Sequence, residues 1–352
     1  MLALPWPPPA HLTTVLRAAL PRAAVAAAVA AGLAACSATA PGPPAARPGS
    51  SAPATAPAPS AKPGAQRAPA GYLHPIRTGS KPCAVLGAAG SVWVADYTDG
   101  RVSRIDPATA AITARVAAGT QPCGMAYGAG SVWVEDYGGN SVTRIGVPGL
   151  RTRSYPVGGS PFDVTFAGGA AWVTNYADGT VTRIDAMTGR TRTLTVGTSP
   201  EGIARAGGAV WVANHGSGTV SRISTASLRV TTIRTGGAPA WTAYSGDTVW
   251  VGDQASGTVL RISARTGAIV ARVKVGAMPN DGDVLGGAAW FPDMNGGLYR
   301  ISATTDAVTG PFALHAGNPF TLAAYRHRLW IADFAGTDVI EVNPALLSNP
   351  PG

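Results

Sequence analysis

The 352-residue sequence predicts an all-β fold, a seven-bladed β-propeller with four-stranded blades, on three observations. Seven tryptophans, Trp93, Trp133, Trp172, Trp211, Trp250, Trp290 and Trp330, recur with 39 or 40 residues between neighbours, each in a run of the Val-Trp-Val kind. Each run is followed by a polar, glycine-rich turn and a second β-type run such as Thr180-Val181-Thr182-Arg183-Ile184. Only 13% of residues are charged while 45 are glycine, as suits many short strands joined by tight turns and covered on both faces. A period near 40 carried by β-type runs is the mark of a propeller, each repeat supplying one blade.

The chain opens on an address. Arg17 and Arg22 precede an apolar stretch, Ala23 to Leu33, which has the length of a signal-peptide core and is too short to span a bilayer. It ends in Leu33-Ala34-Ala35-Cys36-Ser37, which resembles the lipobox of bacterial lipoproteins. Residues 1–36 are therefore expected to be a lipoprotein signal peptide, with Cys36 lipidated and the chain exported to the outer face of the cytoplasmic membrane or the cell surface. The alternative is a plain secretory signal with an incidental cysteine. Residues 37–70 are almost only Ala, Pro, Ser, Gly and Thr, too poor in apolar surface to fold, and are expected to form a disordered tether. At about 3 Å per residue such a segment reaches on the order of 100 Å when extended.

Residues 71–345 hold the repeats, and 346–352 are a short tail. The fourth repeat shows the blade plan: strands near Pro200–Arg205, Ala209–Asn214, Thr219–Ile223 and Val230–Arg234, with turn residues at each junction. The tryptophan runs are apolar throughout instead of alternating, which places them between neighbouring blades. Burying 150 to 250 Å² of indole at about 25 cal/mol/Å² gives roughly 4 to 6 kcal/mol each as an upper estimate. Leu73 to Thr78 aligns with the fourth strands, whereas the last repeat stops after its third at Glu341-Val342-Asn343. The amino-terminal strand is therefore expected to complete the last blade and close the ring, leaving no long exposed edge.

The net charge of +9 falls to +7 once residues 1–36, with two arginines and no acid, are set aside. Arg104, Arg144, Arg183, Arg222, Arg261 and Arg300 occupy one repeating position. Spread evenly around a ring they form no basic patch, which disfavours nucleic acid as a partner; they are expected to lie solvated over the blade flanks.

The pattern Trp172-Val173-Thr174-Asn175-Tyr176…Thr180-Val181-Thr182-Arg183-Ile184-Asp185 resembles the YVTN-type propeller repeats, and the likeness covers nearly all of residues 72–345. The Pro-x-Gly-Ile…Trp…Asn…Ile-x-Arg-Ile skeleton is similar to the streptogramin (virginiamycin B) lyase family, which implies seven blades and a metal-dependent lyase. In that family catalytic histidines follow the repeat proline. Here those positions hold Cys83, Cys123, Phe162, Glu201, Ala240, Asn280 and Phe320, so no lyase residue carries over. The Gly-His and Trp-Asp signatures of WD40 propellers are missing.

In a propeller the loops entering the first strand and those joining the second to the third open on one face. The candidate site is there. It collects the post-proline residues and a second ring, Tyr97, Tyr137, Tyr176, His215, Gln254, Met294 and Phe334, each after an Asp or Asn expected to cap its turn. Cys83 and Cys123 hold equivalent positions in adjacent blades; a disulfide, a pair of free thiols with redox or metal chemistry, and inert cysteines are all open. Tyr97, Tyr137, Tyr176 and Trp241 form an aromatic arc suited to a protein or glycan ligand, against rim packing as the alternative. Glu201 and His215 are the candidate acid–base pair, against a plain surface histidine. Glu201, Asp163, Asp281 and Asp283 are expected to be solvated turn acids, with Glu201, Asp281 and Asp283 the candidate ligands should a divalent metal bind. No cofactor is otherwise implied. The expectation is a monomeric, envelope-anchored binding or scaffolding module, with a metal-dependent lyase or sugar-processing enzyme as the rival.

Overall fold

The computed structural model describes residues 71–276 and 278–347. The expected signal peptide with Cys36, the expected tether and residues 348–352 lie outside the described residues. Seven antiparallel sheets of four strands follow one another around the ring. Six of them span residues 82–117, 122–156, 161–195, 200–234, 239–274 and 283–313, and their strands pair in chain order. The seventh takes three strands from residues 319–342 and its fourth from Leu73–Arg77, paired antiparallel with Asp338–Val342.

The tryptophans are the reason the blades stack. Trp93, Trp133, Trp172, Trp211, Trp250 and Trp330 are each below 2% exposed, held between a blade and its neighbour. Five of the seven indole N–H groups reach a partner within their own blade: Trp93, Trp133, Trp172, Trp211 and Trp290 donate to the backbone carbonyl five residues earlier, at the first hairpin.

Six tryptophans stand opposite an arginine of the third strand, from Trp93 and Arg104 to Trp290 and Arg300. The arginines are not solvated as expected. Arg104, Arg144, Arg183, Arg222 and Arg300 stack on their tryptophans at 5.1 to 5.9 Å from the ring centre. Arg144 and Arg261 also donate to Ala186 and Ala303 carbonyls of the following blade. A planar guanidinium satisfies both demands at once, lying flat on the indole while its edge reaches across the blade gap. In the closing blade the position is taken by Glu341, opposite Trp330, which pairs with Arg328 at 3.1 Å and approaches His74 of the amino-terminal strand at 3.6 Å.

The innermost strands meet closely around the axis. A Cβ on Gly202 would fall 2.7 Å from the Ala240 carbonyl oxygen and 2.8 Å from the Trp241 Cα, so glycine is what allows blades four and five to approach there. Blade six departs from the expected regular first strand. Only Asp283–Leu285 is a strand, with Pro279 bridging Asp293 above it. Gly282 is pressed against Trp290 and Phe291, and Asn280 turns its amide to the Pro319 carbonyl of blade seven, 2.9 Å away, tying two blades instead of extending the ladder.

Candidate functional site

One tie repeats seven times at the mouth. The N–H groups of Tyr97, Tyr137, Tyr176, His215, Gln254, Met294 and Phe334 donate to the carbonyls of Lys81, Gln121, Ser160, Ser199, Ala238, Met278 and Asn318, each the residue before a repeat proline. In five of the seven blades the residue preceding the donor caps the turn as the sequence implied; Asp96 and Asn214 bond instead to hydroxyls of the third strand, such as Ser103 and Ser221. Asp136 accepts from Thr120 and Gln121, Asp333 from Gly317 and Asn318, and Asn175 from Gly158. These ties hold the two rings of candidate residues next to each other on one face.

Within that face the aromatic residues form a continuous row. Tyr97 meets Phe334 at 5.4 Å, Phe334 meets Phe320 at 5.3 Å, and Phe320 meets Trp241 at 5.1 Å between ring centres. Trp241 then meets Phe162 at 5.5 Å, which stacks on Tyr176 at 5.8 Å and lies 6.4 Å from Tyr137. Phe162, Trp241 and Phe320 come from blades three, five and seven, so their contact lies across the axis of the ring. Trp241, expected in the ligand-binding arc, is only 4% exposed: it packs between Phe162 and Phe320 and blocks the channel instead of offering a face at the mouth. Tyr97, Tyr137 and Tyr176 remain partly exposed above it.

Cys83 and Cys123 are joined by a disulfide with Cα atoms 5.0 Å apart, linking the inner strands of blades one and two. On the other side of blade one, the Thr321 hydroxyl donates to the Cys83 carbonyl at 2.9 Å, so the blade at the closure is fixed from both sides.

The acids are not solvated turn residues. Asp163, Glu201, Asp281 and Asp283 are densely surrounded by protein yet keep part of their surface accessible, as befits side chains lining a narrow channel. Burial pushes Asp163 up to about 7 and Glu201 up to about 8. Asp281 is driven well above the usual range by burial, with Asp163 and Asp283 adding like charge. Burial raises Asp283 against the hydrogen bonds it accepts from Val284 and, across the blade gap, Ala324 at 2.9 Å. Asp163 likewise accepts from Val164 and from Ile203 of the next blade.

Sequence reasoning missed Glu135. It is fully buried, accepts from the Gly124 N–H at 2.8 Å through one oxygen, and leaves its other oxygen without a hydrogen-bond partner. Burial, opposed by that bond, raises its pKa well above the ordinary range. The available signal was its place in Val132-Trp133-Val134-Glu135, where the other repeats carry small or uncharged residues.

Glu201 and His215 do come together, with Oε1 3.9 Å from Nδ1, beyond hydrogen-bonding distance. Burial lowers the histidine's pKa, so near neutral pH the pair is a carboxylic acid beside a neutral imidazole. Glu201, Asp281 and Asp283 do not converge: among the described residues no three His, Cys, Asp or Glu side chains are grouped to hold a metal ion. On the opposite face, a cavity of about 360 Å³ is lined by the glycine hairpins of blades three and four with Arg205 and Tyr244, whose side chains are already hydrogen-bonded to each other at 3.0 Å.

The fold and this face define a seven-bladed β-propeller with an aromatic, acid-lined channel mouth. Its fold is similar to that of virginiamycin B lyase from Staphylococcus aureus, solved as a catalytically inactive variant with quinupristin: the TM-score is 0.68 at 16% identity, over 76% of this chain and 98% of that one. It is also similar to a chain of Kuenenia stuttgartiensis hydrazine synthase, with a TM-score of 0.64 at 14% identity over 76% and 96% of the two chains. No family model and no curated protein matches the sequence.

Proposed function

We propose that this chain is an envelope-anchored binding or scaffolding module that recognises a protein or glycan at its channel mouth. The observation that carries this reading is the row of partly exposed tyrosines, Tyr97, Tyr137 and Tyr176, over a channel blocked by Trp241. A blocked axis favours recognition on the surface of the face over passage through the ring. Tyrosine suits that role because it offers a large rigid contact area with a polar tip at small entropic cost. The lipobox-like Leu33-Ala34-Ala35-Cys36 and the tether support presentation outside the cytoplasmic membrane by a monomer anchored through Cys36. Affinity capture from intact envelopes tests this: a specific protein or glycan is recovered with the native face and lost when Tyr97, Tyr137 and Tyr176 are replaced together. Equal recovery by the triple variant removes the tyrosines from the binding face.

A second reading, a metal-dependent lyase or sugar-processing enzyme, draws support from the Glu201 and His215 pair, since a carboxyl titrating near 8 is matched to general acid work at neutral pH. It expects Glu201→Gln to abolish a metal-dependent turnover while the domain stays folded. Undiminished turnover in that variant, or no turnover with any metal, ends it.

A further inference from the structure

The two faces of the ring differ in charge. Each first strand leaves the mouth at its repeat proline, so the hairpins joining first to second and third to fourth strands lie together on the far face. Of the 18 acids only Asp106, Asp185, Asp247, Asp306 and Glu341 belong to that half. Four of the five pair with an arginine, and Asp106 caps its own turn. Free arginines gather there in blades two, three and four. Arg151, Arg190 and Arg229 close the third-to-fourth hairpin of three consecutive blades, where blades one, five and six carry Ala111, Ala268 and Ala307. Arg153 and Arg192 follow two residues on, and Arg205 lies near the end of blade four's first strand. All six are exposed, and among the described residues none is in an ion pair. The far half of these blades holds one acid, Asp185, paired with Arg183 at 3.4 Å.

Exposed apolar side chains sort the same way. Among the described residues the exposed large hydrophobics are Tyr127, Met187, Tyr244, Val270, Val308 and Leu346, and all six lie on the far face. Tyr127 and Tyr244 stand near the far ends of first strands, Val270 and Val308 open fourth strands, and Leu346 follows the third strand of blade seven. Met187, 94% exposed, tips the hairpin of blade three among the arginines. An isolated exposed hydrophobe needs no explanation, but six on one face mark a surface that meets something. The chain also enters the ring here. Leu73 pairs with Val342 and Arg77 with Asp338, so the amino-terminal strand starts at the far face and runs toward the mouth. Whatever precedes Gly71, Cys36 included, joins the ring from this side.

We propose that the far face, at blades two to four, rests on an anionic lipid bilayer. Guanidinium groups pair with lipid phosphates through two parallel hydrogen bonds, tyrosine suits the depth of the headgroups, and Met187 reaches toward the acyl boundary. A protein partner calls for an apolar centre depleted of charge, whereas here the apolar side chains stand singly among arginines, as a fluid array of headgroups accepts. In this pose the mouth turns away from the membrane. The inference needs no acyl chain on Cys36 and is independent of what the mouth recognises.

The test uses the purified full chain carrying Cys36→Ser, so that no acyl anchor contributes, with vesicles of phosphatidylcholine alone or mixed with phosphatidylglycerol. An environment-sensitive fluorophore is attached at Met187→Cys on the far face or, in a second sample, at Ala177→Cys on the mouth side of the same blade; both positions are exposed. The expected result is a blue shift at 187 with the mixed vesicles, weakened by salt, and none at 177. Replacing Arg151, Arg190 and Arg229 together by glutamine is expected to weaken that response roughly tenfold or more. The same charge removed from the mouth half, by Arg77→Gln, Arg101→Gln and Arg234→Gln, is expected to leave it unchanged. No shift at 187, an equal shift at 177, or equal loss in both triple variants overturns the proposal. Soluble polyphosphate that binds through Arg151, Arg190 and Arg229 while vesicles give no shift assigns the face to an anionic polymer and equally ends the lipid reading. If envelope capture still depends on the tyrosines while 187 gives no shift, this inference falls and the reading of the mouth stands.

Discussion

The indole of Trp241, from the fifth blade, meets the ring of Phe320, from the seventh, edge to face at 5.1 Å with planes 86° apart. Side chains from blades two places apart touch only if both reach the axis, so this one contact defines the channel block. It also separates Trp241 from the seven repeat tryptophans. Trp211 donates its indole N–H to Ala206, whereas that of Trp241, like those of Trp250 and Trp330, has no partner. Trp241→Phe keeps most of the stacking and removes a buried unpaired donor, and is expected to cost under about 1.5 kcal/mol. Trp211→Ala removes a fully enclosed indole and the face on which Arg222 stacks, at an expected cost of about 3 to 5 kcal/mol. Urea unfolding of the two variants checks the order; equal losses would mean that the axial and inter-blade tryptophans do the same work.

The stability of the ring is expected to fall as the solution becomes more alkaline. Glu201 goes from its ordinary 4.5 to about 8 in the folded chain, so the folded state binds the extra proton between those values. Below the lower value both states are protonated and nothing is lost. Above it the unfolded chain ionises freely while the folded one resists, at about 1.4 kcal/mol per pH unit until Glu201 itself ionises. Asp163, raised from 3.8 to about 7, acts in the same sense. Melting temperatures at pH 5.5 and 8 measure the slope, and Glu201→Gln should flatten it. A native ring that is more stable at pH 8 contradicts the burial of these acids.

Removing the disulfide should weaken the ring without dissolving it. Cys83 and Cys123 are 40 residues apart, and closing a loop of that length is worth about 2 to 4 kcal/mol through the unfolded state. The double change to serine is expected to lower stability by that amount while the circular dichroism of the blades is kept. Intact mass after alkylation gives the thiol state directly: no label before reduction and two labels at these residues after it.

Glu341 marks the seventh blade as different in kind. Replacing it by arginine would restore the pattern of the other blades opposite Trp330, yet it would set a cation beside Arg328, which is 3.1 Å from the carboxylate now. Glu341→Arg is therefore expected to destabilise by about 0.5 to 1 kcal/mol, the range of a partly exposed pair, and Arg328→Glu in the same chain to recover part of it. A stabilised single variant would show that the stacked arginine outweighs the ion pair.

The repeat made the architecture legible. Trp93 to Trp330 gave blade number, strand order and the closure, because every blade must solve the same packing problem with the same residues. What repetition cannot carry is the residue that differs. Trp241 stands where other blades have Ala84, Gly124 or Gly202, and the sequence gives its place along the strand but not that the side chain turns to the axis. Asp163 and Asp281 look like polar turn residues in one dimension; only the closed ring brings blades three and six face to face and leaves their carboxyls sharing one channel. Glu135 hides inside an apolar strand for the same reason. The arginines were placed correctly and read wrongly, since stacking on tryptophan depends on a cross-strand register that spacing alone does not report.

The last blade is built from the two ends of the repeat region, Leu73–Arg77 lying beside Asp338–Val342. The ring therefore cannot be finished by any nascent chain that lacks its final strand. A polypeptide interrupted by a premature stop before Asp338 leaves its earliest strand without a mate, and with it an open seam that proteases and chaperones can sense. Completeness of synthesis is thus inspected by the fold itself, at the junction nearest the segment through which the molecule would be tied to its surroundings.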